Sequence, residues 1–350
     1  MKAWVLRGVN DIVFTDVKKP VPGKGQALIK VKAAGICGSD IPRIYDTGAH
    51  NMPLIPGHEF SGQVESVGSS EDEGFIGKGV GVFPLIPCRK CDQCLKGRYE
   101  LCRNYDYLGS RSNGAFAEYV SVPVSSLIEL PGDISFEAAA MLEPMAVTVH
   151  AIRRVIDLKD VDRDMRIAVY GLGTIGLFMV MFLKAEGFDN LIVIGNKEEQ
   201  KNKVLKQGID EESYFDGREE DVVNKIKAAG GADTVFECVG RSETYAASVS
   251  ITRPAGSIVT VGNPFSDMTL PRDIYWKILR DQLTVRGTWN SSFRGSEDDD
   301  WHYVLDKLKS GKIDPAGFIS HRYPLKDLDK GLAVMRDKSE YYGKVMAVMI

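Results

Sequence analysis

Short apolar runs broken by glycine and proline characterise the first 147 residues of the chain. Residues 27–31, 61–67 and 117–122 are runs of this kind, each long enough for one strand. Many short strands with such punctuation are typical of an antiparallel, barrel-like β domain. The pattern therefore predicts a β domain at the start of the chain.

From about residue 148 to residue 289, strand patterns alternate with helical periodicity. The strands are expected at residues 166–170, 191–194, 234–236 and 257–261, and the helices at residues 174–186 and 197–207. Repeated β-α-β units place helices on both faces of a parallel sheet. This region is therefore predicted to be a doubly wound α/β domain.

The residues after 289 have a third pattern. A helix is expected near residues 300–309 and an apolar strand at residues 345–350, and that strand is able to pair back onto the first domain. We therefore assign residues 1–147 and 290–350 to one domain and residues 148–289 to the other. The acidic run at residues 298–300 is expected to be a solvated helix N-terminus, where acidic side chains suit the helix dipole.

The charge balance argues against several classes of partner. The 350 residues include 44 Lys and Arg against 48 Asp and Glu, a formal net charge of −4, so we expect no binding to nucleic acid or to an anionic membrane. The most apolar later run, residues 177–183, is far shorter than the roughly 20 residues that span a bilayer. The N-terminus also lacks the apolar region of a secretory signal. We expect a cytoplasmic protein, in which clustered cysteines indicate a metal before a disulfide.

Four of the six cysteines lie in one short segment with C-x2-C-x2-C-x7-C spacing, at Cys88, Cys91, Cys94 and Cys102. Four thiolates complete a tetrahedral zinc shell with no open position, which is typical of a structural site. Free thiols and an iron–sulfur cluster are the alternatives. We predict a structural zinc that stabilises a loop with little core of its own.

A second, open metal site is predicted from Cys37 and, 21 residues later, His58 and Glu59. Cys, His and a carboxylate leave one zinc position for a substrate oxygen, as in catalytic zinc sites. Glu143 is the other candidate carboxylate, because it follows an apolar run in which an unpaired charge would be costly. Taken alone, Cys37 could be a small buried hydrophobe and His58 a satisfied core residue. Ser39 is expected to relay the substrate proton, to cap a helix beginning at residue 40, or both.

A glycine-rich loop follows the strand at residues 166–170 and opens a helix. It has the G-x-G-x-x-G pattern, with Gly171, Gly173, Thr174, Ile175 and Gly176 as the candidate cofactor-binding residues. In this context the pattern predicts a dinucleotide whose pyrophosphate faces the helix N-terminus.

The second strand of that domain lacks the acid that usually binds the ribose of NAD. Residues 194–197 read Ile-Gly-Asn-Lys, so Asn196 and Lys197 are candidates for binding a 2′-phosphate. Glu198 and Glu199 are expected to start the next helix. We favour NADP, or the use of both NADP and NAD, with an ordinary exposed helix-start lysine as the alternative for Lys197.

Together these motifs resemble the zinc-containing medium-chain dehydrogenase family over essentially the whole chain. The matching segments, besides the four cysteines, are residues 35–40, 57–59, 142–144 and 171–176. The resemblance implies a GroES-like catalytic domain with a structural zinc lobe at residues 88–102, a Rossmann domain, and a homodimer or homotetramer. It also implies two zinc ions per chain, with Cys37, His58 and a glutamate at the catalytic one.

Further residues narrow the resemblance to the polyol branch. The glutamate at position 143 is similar to sorbitol-type members, whereas the ethanol-type branch has a cysteine there. The segments at residues 41–45, 48–50, 107–111 and 114–119 resemble polyol-phosphate dehydrogenases of the galactitol-1-phosphate 5-dehydrogenase and D-arabitol-phosphate type. The implied reaction is reversible oxidation of a secondary hydroxyl of a polyol or polyol phosphate to a ketone.

The chain departs from sorbitol-type members where they continue with a histidine and an aromatic residue, because it has Pro42 and Arg43. An arginine near the substrate suits a phosphate, since its planar fork binds phosphate oxygens in pairs. We therefore interpret Arg43, with His50 or Arg111, as a phosphate-binding group, and keep a surface helix position as the alternative for Arg43. Arg286 falls where sorbitol-type members place an arginine near the substrate, or it faces solvent on a strand.

Other functions remain open at this point. An unphosphorylated polyol dehydrogenase of sorbitol, xylitol or threonine type is the main alternative. A zinc-knuckle nucleic-acid-binding protein conflicts with the net charge and the glycine loop. A zinc-free reductase or sensor of the same fold conflicts with Cys37, His58 and Glu143, and a zinc hydrolase would not need the glycine loop.

Overall fold

The computed structural model describes residues 1–349. The chain divides into two compact units, one formed by Met1–Ala146 with Ser291–Ile350 and the other by Val147–Asn290. We call them the metal-site unit and the nucleotide unit and describe each by itself. Within the described residues, no helix combines the length and apolarity needed to cross a membrane.

The first part of the metal-site unit is mostly strand. Its strands are β1 (Lys2–Gly8), β2 (Asp11–Asp16), β3 (Gln26–Ile36), β4 (Glu59–Val67), β5 (Gly79–Val82), β6 (Leu85–Ile86), β7 (Asp106–Tyr107), β8 (Tyr119–Pro123) and β9 (Leu127–Glu129). Its helices are α1 (Asp40–Pro42), which continues as a π-helical turn over Arg43–Thr47, α2 (Asp92–Leu95) and α3 (Phe136–Ala140). Helix α4 (Leu142–Arg153) then leads across the boundary between the units.

The nucleotide unit alternates strands and helices. In chain order it contains β10 (Ile167–Tyr170), α5 (Thr174–Ala185), β11 (Leu191–Gly195), α6 (Glu198–Lys206), β12 (Tyr214–Asp216), α7 (Val222–Ala228), β13 (Ala232–Glu237), α8 (Ser242–Ile251), β14 (Thr252–Thr260), α9 (Arg272–Arg280) and β15 (Thr284–Gly287). All neighbouring pairs are parallel, in the order β12-β11-β10-β13-β14-β15. This is the predicted doubly wound sheet, and its strands β10 and β11 are buried along their whole length.

The chain then returns to the metal-site unit through α10 (Asp300–Lys309), β16 (Ile319–Pro324), α11 (Leu328–Asp337) and β17 (Lys344–Val348). Strand β17 pairs antiparallel with β3, with Val345 opposite Ile36. The prediction that a terminal strand pairs back onto the first domain is therefore confirmed, although residue 350 lies outside the described residues. The resulting sheet has the order β16-β17-β3-β4-β5-β9, with β8 also paired to β3.

An apolar core lies against this sheet and explains its stability. Alternate residues of β3 and β4 point into one cluster with side chains from β1, β8 and α11, including Ile29, Val31, Val64 and Leu332. Burying such side chains contributes roughly 1.5–3 kcal/mol each. The sheet is thus a firm support for the residues that follow the end of β3 and begin β4.

The acidic run at residues 298–300 lies at a helix N-terminus, as predicted, but the expectation that the run is solvated is wrong for Asp299 and Asp300. Asp299 and Asp300 are 0% and 2% exposed, because both carboxylates satisfy buried backbone groups. Asp299 caps α10 by accepting from the His302 amide at 2.9 Å, and it also accepts from the Arg294 amide at 2.8 Å. Asp300 accepts from the Ser292 amide at 2.8 Å. These acids fix a loop and do not merely face water.

Candidate metal and dinucleotide sites

The four cysteines of the segment 88–102, which we call the thiol lobe, converge on one point. Their sulfur atoms all lie within 4.8 Å of one another. Cys91 precedes α2, Cys94 lies on that helix, and the backbone amide of Cys88 donates to the sulfur of Cys102 at 3.2 Å. Backbone N–H groups of Arg103 and Cys94 lower the pKa of Cys91 to about 6, whereas burial raises the pKa of Cys94 to about 12. The donor set fits a closed tetrahedral zinc site.

Cys37, His58 and Glu59 form a second group, which we call the open cluster. Each offers a ligand atom within 4.8 Å of the others. The antiparallel register explains this, because Gly35 of β3 pairs with Glu59 at the start of β4, so residues just beyond the strand end meet. A Cβ at Gly35 would collide with the Glu59 carboxylate, and glycine is therefore required at that position.

Asp40 is fully buried beside the open cluster and organises it. Its carboxylate accepts from the Cys37 amide at 3.0 Å and from Arg43 Nη1 at 2.5 Å, and it lies 3.5 Å from His58 Nδ1. Burial alone would raise the pKa of Asp40, but the charges of His58 and Arg43 lower it. Because Nδ1 of His58 faces this carboxylate, Nε2 is the ring nitrogen left for a metal. Reasoning from the sequence overlooked Asp40 as a partner, although it directly follows the Cys-Gly-Ser motif.

Glu59 is paired with Lys344, a residue that the sequence analysis missed. Lys344 opens β17, its side chain is 3% exposed, and its ammonium group donates to the Glu59 carboxylate and to the Ile36 carbonyl oxygen. Burial alone would lower the pKa of Lys344, but Glu59 and Cys37 raise it. The available signal was a single lysine at the start of an otherwise apolar strand.

Glu143, in the first turn of α4, borders the open cluster without belonging to its three mutually close donors. Its Oε1 accepts a hydrogen bond from the hydroxyl group of Tyr107 at 3.1 Å. Burial, with the nearby charge of Glu59, raises the pKa of Glu143 to about 7. Two carboxylates of different character therefore lie beside Cys37 and His58, one neutralised by a lysine and one held by a tyrosine.

Ser39 and Arg43 have roles that differ from some of those expected. Ser39 stands at the N-cap of α1, but its side chain makes no capping bond and donates to Cys37 Sγ at 3.3 Å. Arg43 is 17% exposed and paired with Asp40, with Nη2 3.5 Å from Ser39 Oγ. Arg43 is therefore partly buried and ion-paired, and its contact with a phosphate stays a prediction. Its guanidinium lies next to the residue that contacts the cysteine of the open cluster.

The remaining candidate substrate residues are more scattered. His50 is exposed, and the guanidinium of Arg111 lies 4.6 Å from the centre of the Tyr105 ring. Neither of these observations places His50 or Arg111 beside Arg43. Arg286 lies on the exposed strand β15 of the nucleotide unit and donates to the carbonyl oxygen of Arg154 at 2.7 Å, which agrees with the solvent-facing alternative.

The glycine loop has the expected setting in the nucleotide unit. It leaves β10, and α5 begins at Thr174 with Ile175 as its second residue. Gly171 has a φ angle of 97°, which favours glycine, and a Cβ at Gly176 would strike the carbonyl oxygen of Gly171. A Cβ at Gly173 would meet nothing within 4 Å. The backbone is therefore open at the helix N-terminus, which fits a pyrophosphate group.

The end of β11, where the ribose-binding acid is missing, is closely packed. A Cβ at Gly195 would lie 2.9 Å from the Leu172 side chain, so an acidic side chain would not fit without rearrangement. Asn196 follows as an exposed residue, and Lys197 is the N-cap of α6. As predicted, that helix begins at Glu198.

An acid that sequence analysis missed lies on the adjacent strand. Asp216 pairs in register with Gly195, and its carboxylate binds Arg218 at 2.5 Å. This ion pair lowers the pKa of Asp216 to about 2. Asp216 and Arg218 therefore add charged groups of both signs next to the end of β11.

Comparisons with known proteins agree with both sites. The alcohol dehydrogenase GroES-like domain matches residues 23–132, and the zinc-binding dehydrogenase domain matches residues 174–310. The galactitol 1-phosphate 5-dehydrogenase of Escherichia coli strain K12 is 32% identical over 321 residues, covering 90% of this chain and 89% of the relative. A crystal structure of galactitol-1-phosphate dehydrogenase from Escherichia coli matches with a TM-score of 0.90 and 29% identity, covering 99% and 100% of the two chains.

Relatives with other substrates are similarly close. The L-threonine 3-dehydrogenase of Bacillus subtilis is 32% identical over 361 residues, covering 99% of this chain and 98% of the relative. A zinc-binding dehydrogenase structure from Sinorhizobium meliloti 1021, solved with NADP bound, matches with a TM-score of 0.89 and 28% identity, covering 99% and 98%. The similarity therefore extends over essentially the whole chain, but the similar proteins are named for both phosphorylated and unphosphorylated substrates.

Proposed function

The chain belongs to the zinc-containing medium-chain alcohol and polyol dehydrogenase family, and we propose that its substrate is a sugar-alcohol phosphate. The proposed reaction is reversible oxidation of a secondary hydroxyl, in galactitol 1-phosphate or a pentitol phosphate, to the keto sugar. Like the family, the chain uses zinc and a nicotinamide dinucleotide.

The position of Arg43 is the observation that supports a phosphorylated substrate. This permanent cation is separated from the metal ligand Cys37 by a single side chain, because its Nη2 lies 3.5 Å from Ser39 Oγ and Ser39 contacts Cys37. One arm of the guanidinium is used by Asp40, and the remaining N–H groups are able to bind a phosphate. A guanidinium and a phosphate form strong, charge-assisted hydrogen bonds.

The residues of the open cluster divide the catalytic work. Cys37, His58 and either Glu59 or Glu143 would hold the catalytic zinc, while the thiol lobe would hold the structural one. When bound, zinc supplies Lewis acidity toward the substrate hydroxyl, and the nicotinamide accepts the hydride. Asp40 orients His58, and Lys344 compensates the charge of Glu59.

The proton of the substrate hydroxyl requires an acceptor, and we assign that role to Ser39. Its hydroxyl lies beside Cys37 and can accept one proton while it donates another. Arg43 cannot continue the relay, because a guanidinium has no acceptor and stays protonated. Water is therefore the proposed next acceptor in place of the histidine of sorbitol-type members.

The decisive experiment compares catalytic efficiency on a polyol phosphate and on the matching free polyol, with wild type and Arg43→Ala. Any damage to the metal site through Asp40 lowers both rates, so the ratio of the two kcat/KM values isolates the phosphate contact. We expect the ratio to fall by on the order of 10–100-fold, as for loss of a charge-assisted contact of roughly 1.5–3 kcal/mol. Arg43→Lys serves as the control that keeps the charge. An unchanged ratio would favour the alternative, an unphosphorylated polyol or threonine-type substrate.

For the cofactor we propose NADP, or both NADP and NAD, on the basis of Gly195, Asn196 and Lys197. A small residue at the end of β11 removes the repulsion that a carboxylate would exert on a 2′-phosphate. We expect Lys197→Ala to lower the NADP-to-NAD ratio of kcat/KM by about tenfold, the size of one exposed charged contact. Lys206→Ala, at the far end of the same helix, should leave the ratio unchanged.

We also propose a homo-oligomer in which a second copy covers the edge of the nucleotide unit. Strand β15 ends the sheet, and α9 has no buried residue and exposes Tyr275, Trp276 and Leu279. Two identical edge strands can pair across a two-fold axis and bury these side chains. Light scattering should show that Trp276→Glu lowers the molar mass, whereas Leu95→Glu on the thiol lobe does not. An unchanged mass for Trp276→Glu would exclude this surface.

A further inference from the structure

Tyr107 lies five residues after Cys102 of the thiol lobe, and its side chain reaches the open cluster. Its hydroxyl donates to Glu143 Oε1 at 3.1 Å, and its ring meets the His58 ring edge-on, with 5.7 Å between centroids. One aromatic side chain therefore contacts a metal-ligand histidine and a candidate ligand carboxylate. Neither contact follows from the function proposed above.

The position of Tyr107 depends on a very small ladder. Strands β6 and β7 have two residues each, with Leu85 opposite Tyr107 and Ile86 opposite Asp106. One further backbone bond extends the ladder, from the Leu108 amide to the Pro84 carbonyl oxygen at 3.0 Å. Two-stranded ladders are marginal in water even when they are longer, so this one depends on its surroundings. Part of its support comes from packing, because Leu85 and Leu108 are 0% and 2% exposed.

The thiol lobe is a second source of support, because it is the chain between the two strands. Cys88 follows β6 by two residues, and Cys102 precedes β7 by four. The backbone amide of Cys88 and the sulfur of Cys102 are in contact at 3.2 Å, so the cluster closes the loop at the base of the ladder. A metal bound by the four thiolates fixes that closure and removes its entropic cost from the ladder.

We propose that Tyr107 is a positioning residue through which metal binding in the thiol lobe controls the geometry of the open cluster. Metal in the thiol lobe holds the β6–β7 ladder, the ladder holds the Tyr107 hydroxyl, and the hydroxyl holds Glu143 beside Cys37 and His58. The two metal sites are then energetically coupled. This inference rests on the proposed metal-binding roles of both clusters, but it is independent of the substrate.

The first experiment uses the intact protein with zinc in the thiol lobe and Co²⁺ exchanged into the open cluster. Tyr107→Phe is compared with Tyr105→Phe, which removes a hydroxyl two residues away on the same segment. We expect Tyr107→Phe to change the visible absorption of Co²⁺ and to weaken its affinity by 10–100-fold in chelator competition, the usual effect of losing a group that orients a metal ligand. Tyr105→Phe should match wild type. A wild-type spectrum and affinity for Tyr107→Phe would overturn the positioning role.

The second experiment tests the coupling between the sites. Coupling is reciprocal, so filling the open cluster should tighten zinc binding by the thiol lobe in wild type and not in Tyr107→Phe. Cys91→Ser, where it folds, should weaken Co²⁺ binding in wild type and add little to Tyr107→Phe. Equal effects with and without the tyrosine hydroxyl would disprove the coupling. None of these measurements uses a substrate, so a wrong substrate assignment leaves their outcome unchanged.

Discussion

The two metal sites of one unit are built in opposite ways. The thiol lobe takes four identical donors from 15 consecutive residues, 88–102, whereas the open cluster joins the end of β3 to the start of β4 and has neighbours on α4 and β17. Around the thiols, backbone N–H groups are the main polar contacts. Around the open cluster there are buried ions of both signs, with Asp40, Glu143 and Lys344 each less than a tenth exposed. A closed site needs only its ligands, but a reactive site also needs neighbours that fix the charge of its ligands.

The largest expected effect comes from removing a ligand of the open cluster. For His58→Ala we expect kcat/KM to fall by on the order of 10³-fold or more, since Lewis-acid stabilisation contributes several kcal/mol. Metal analysis should show the loss of one zinc per chain while the thiol lobe keeps its own. Retention of two zinc ions with full activity would refute the assignment of this cluster.

The next effect concerns the buried charge of Glu59. Lys344→Met leaves that carboxylate without its partner, and breaking a buried ion pair costs roughly 3–5 kcal/mol. We expect a clearly lower melting temperature for the zinc-loaded protein, partly restored in the double variant Lys344→Met, Glu59→Gln. Lys96→Met, on the exposed surface of the thiol lobe, is the matched control and should melt like wild type. If Lys344→Met and Lys96→Met had the same melting temperature, the proposed difference between the neighbours of the two metal sites would be wrong.

A smaller effect is expected when Asp40, a neighbour of the open cluster, is replaced by a side chain of the same shape without the charge. Asp40→Asn keeps the size of the side chain that faces His58, but it loses the negative charge. Metal affinity of the open cluster should fall by 10–100-fold, which competition with a chelator measures. If affinity were unchanged, the orienting role of Asp40 would be wrong.

Removing a charged neighbour of the thiol lobe should have almost no effect on metal binding or stability. Asp92 and Arg103 form an ion pair there with side chains 46% and 71% exposed, and exposed pairs contribute little because water screens them. We expect Arg103→Ala to leave zinc affinity and melting temperature unchanged. A marked loss would mean that the lobe, like the open cluster, depends on its neighbours.

The same contrast explains what could be predicted from the sequence. The thiol lobe and the glycine loop are local patterns, so spacing alone identified Cys88–Cys102 and the turn after β10. The fold class followed from hydrophobic periodicity and is confirmed. Lys344 was not found, because 285 positions separate it from Glu59 and only the pairing of β17 with β3 brings them together.

The partners of three charged side chains could not be predicted, for a common physical reason. The acids at 299 and 300 were expected to be solvated, and a solvated position was the alternative for the arginine at 43, since single charged residues usually are. In the structure each one satisfies a specific buried group: backbone amides for the acids and the Asp40 carboxylate for Arg43. Whether a charge has such a partner depends on tertiary contacts that hydrophobic periodicity does not encode.

The return of β17 to β3 also sets an order of events on the ribosome. Cys37, His58 and Glu59 leave the exit tunnel long before Lys344, because all of the nucleotide unit is synthesised between them. Until the final strand docks, Glu59 lacks its buried cation and residues 33–36 of β3 lack the partner that β17 provides. All four cysteines of the thiol lobe are therefore present early in synthesis, whereas the buried ion pair beside the open cluster can form only when the last strand has been made.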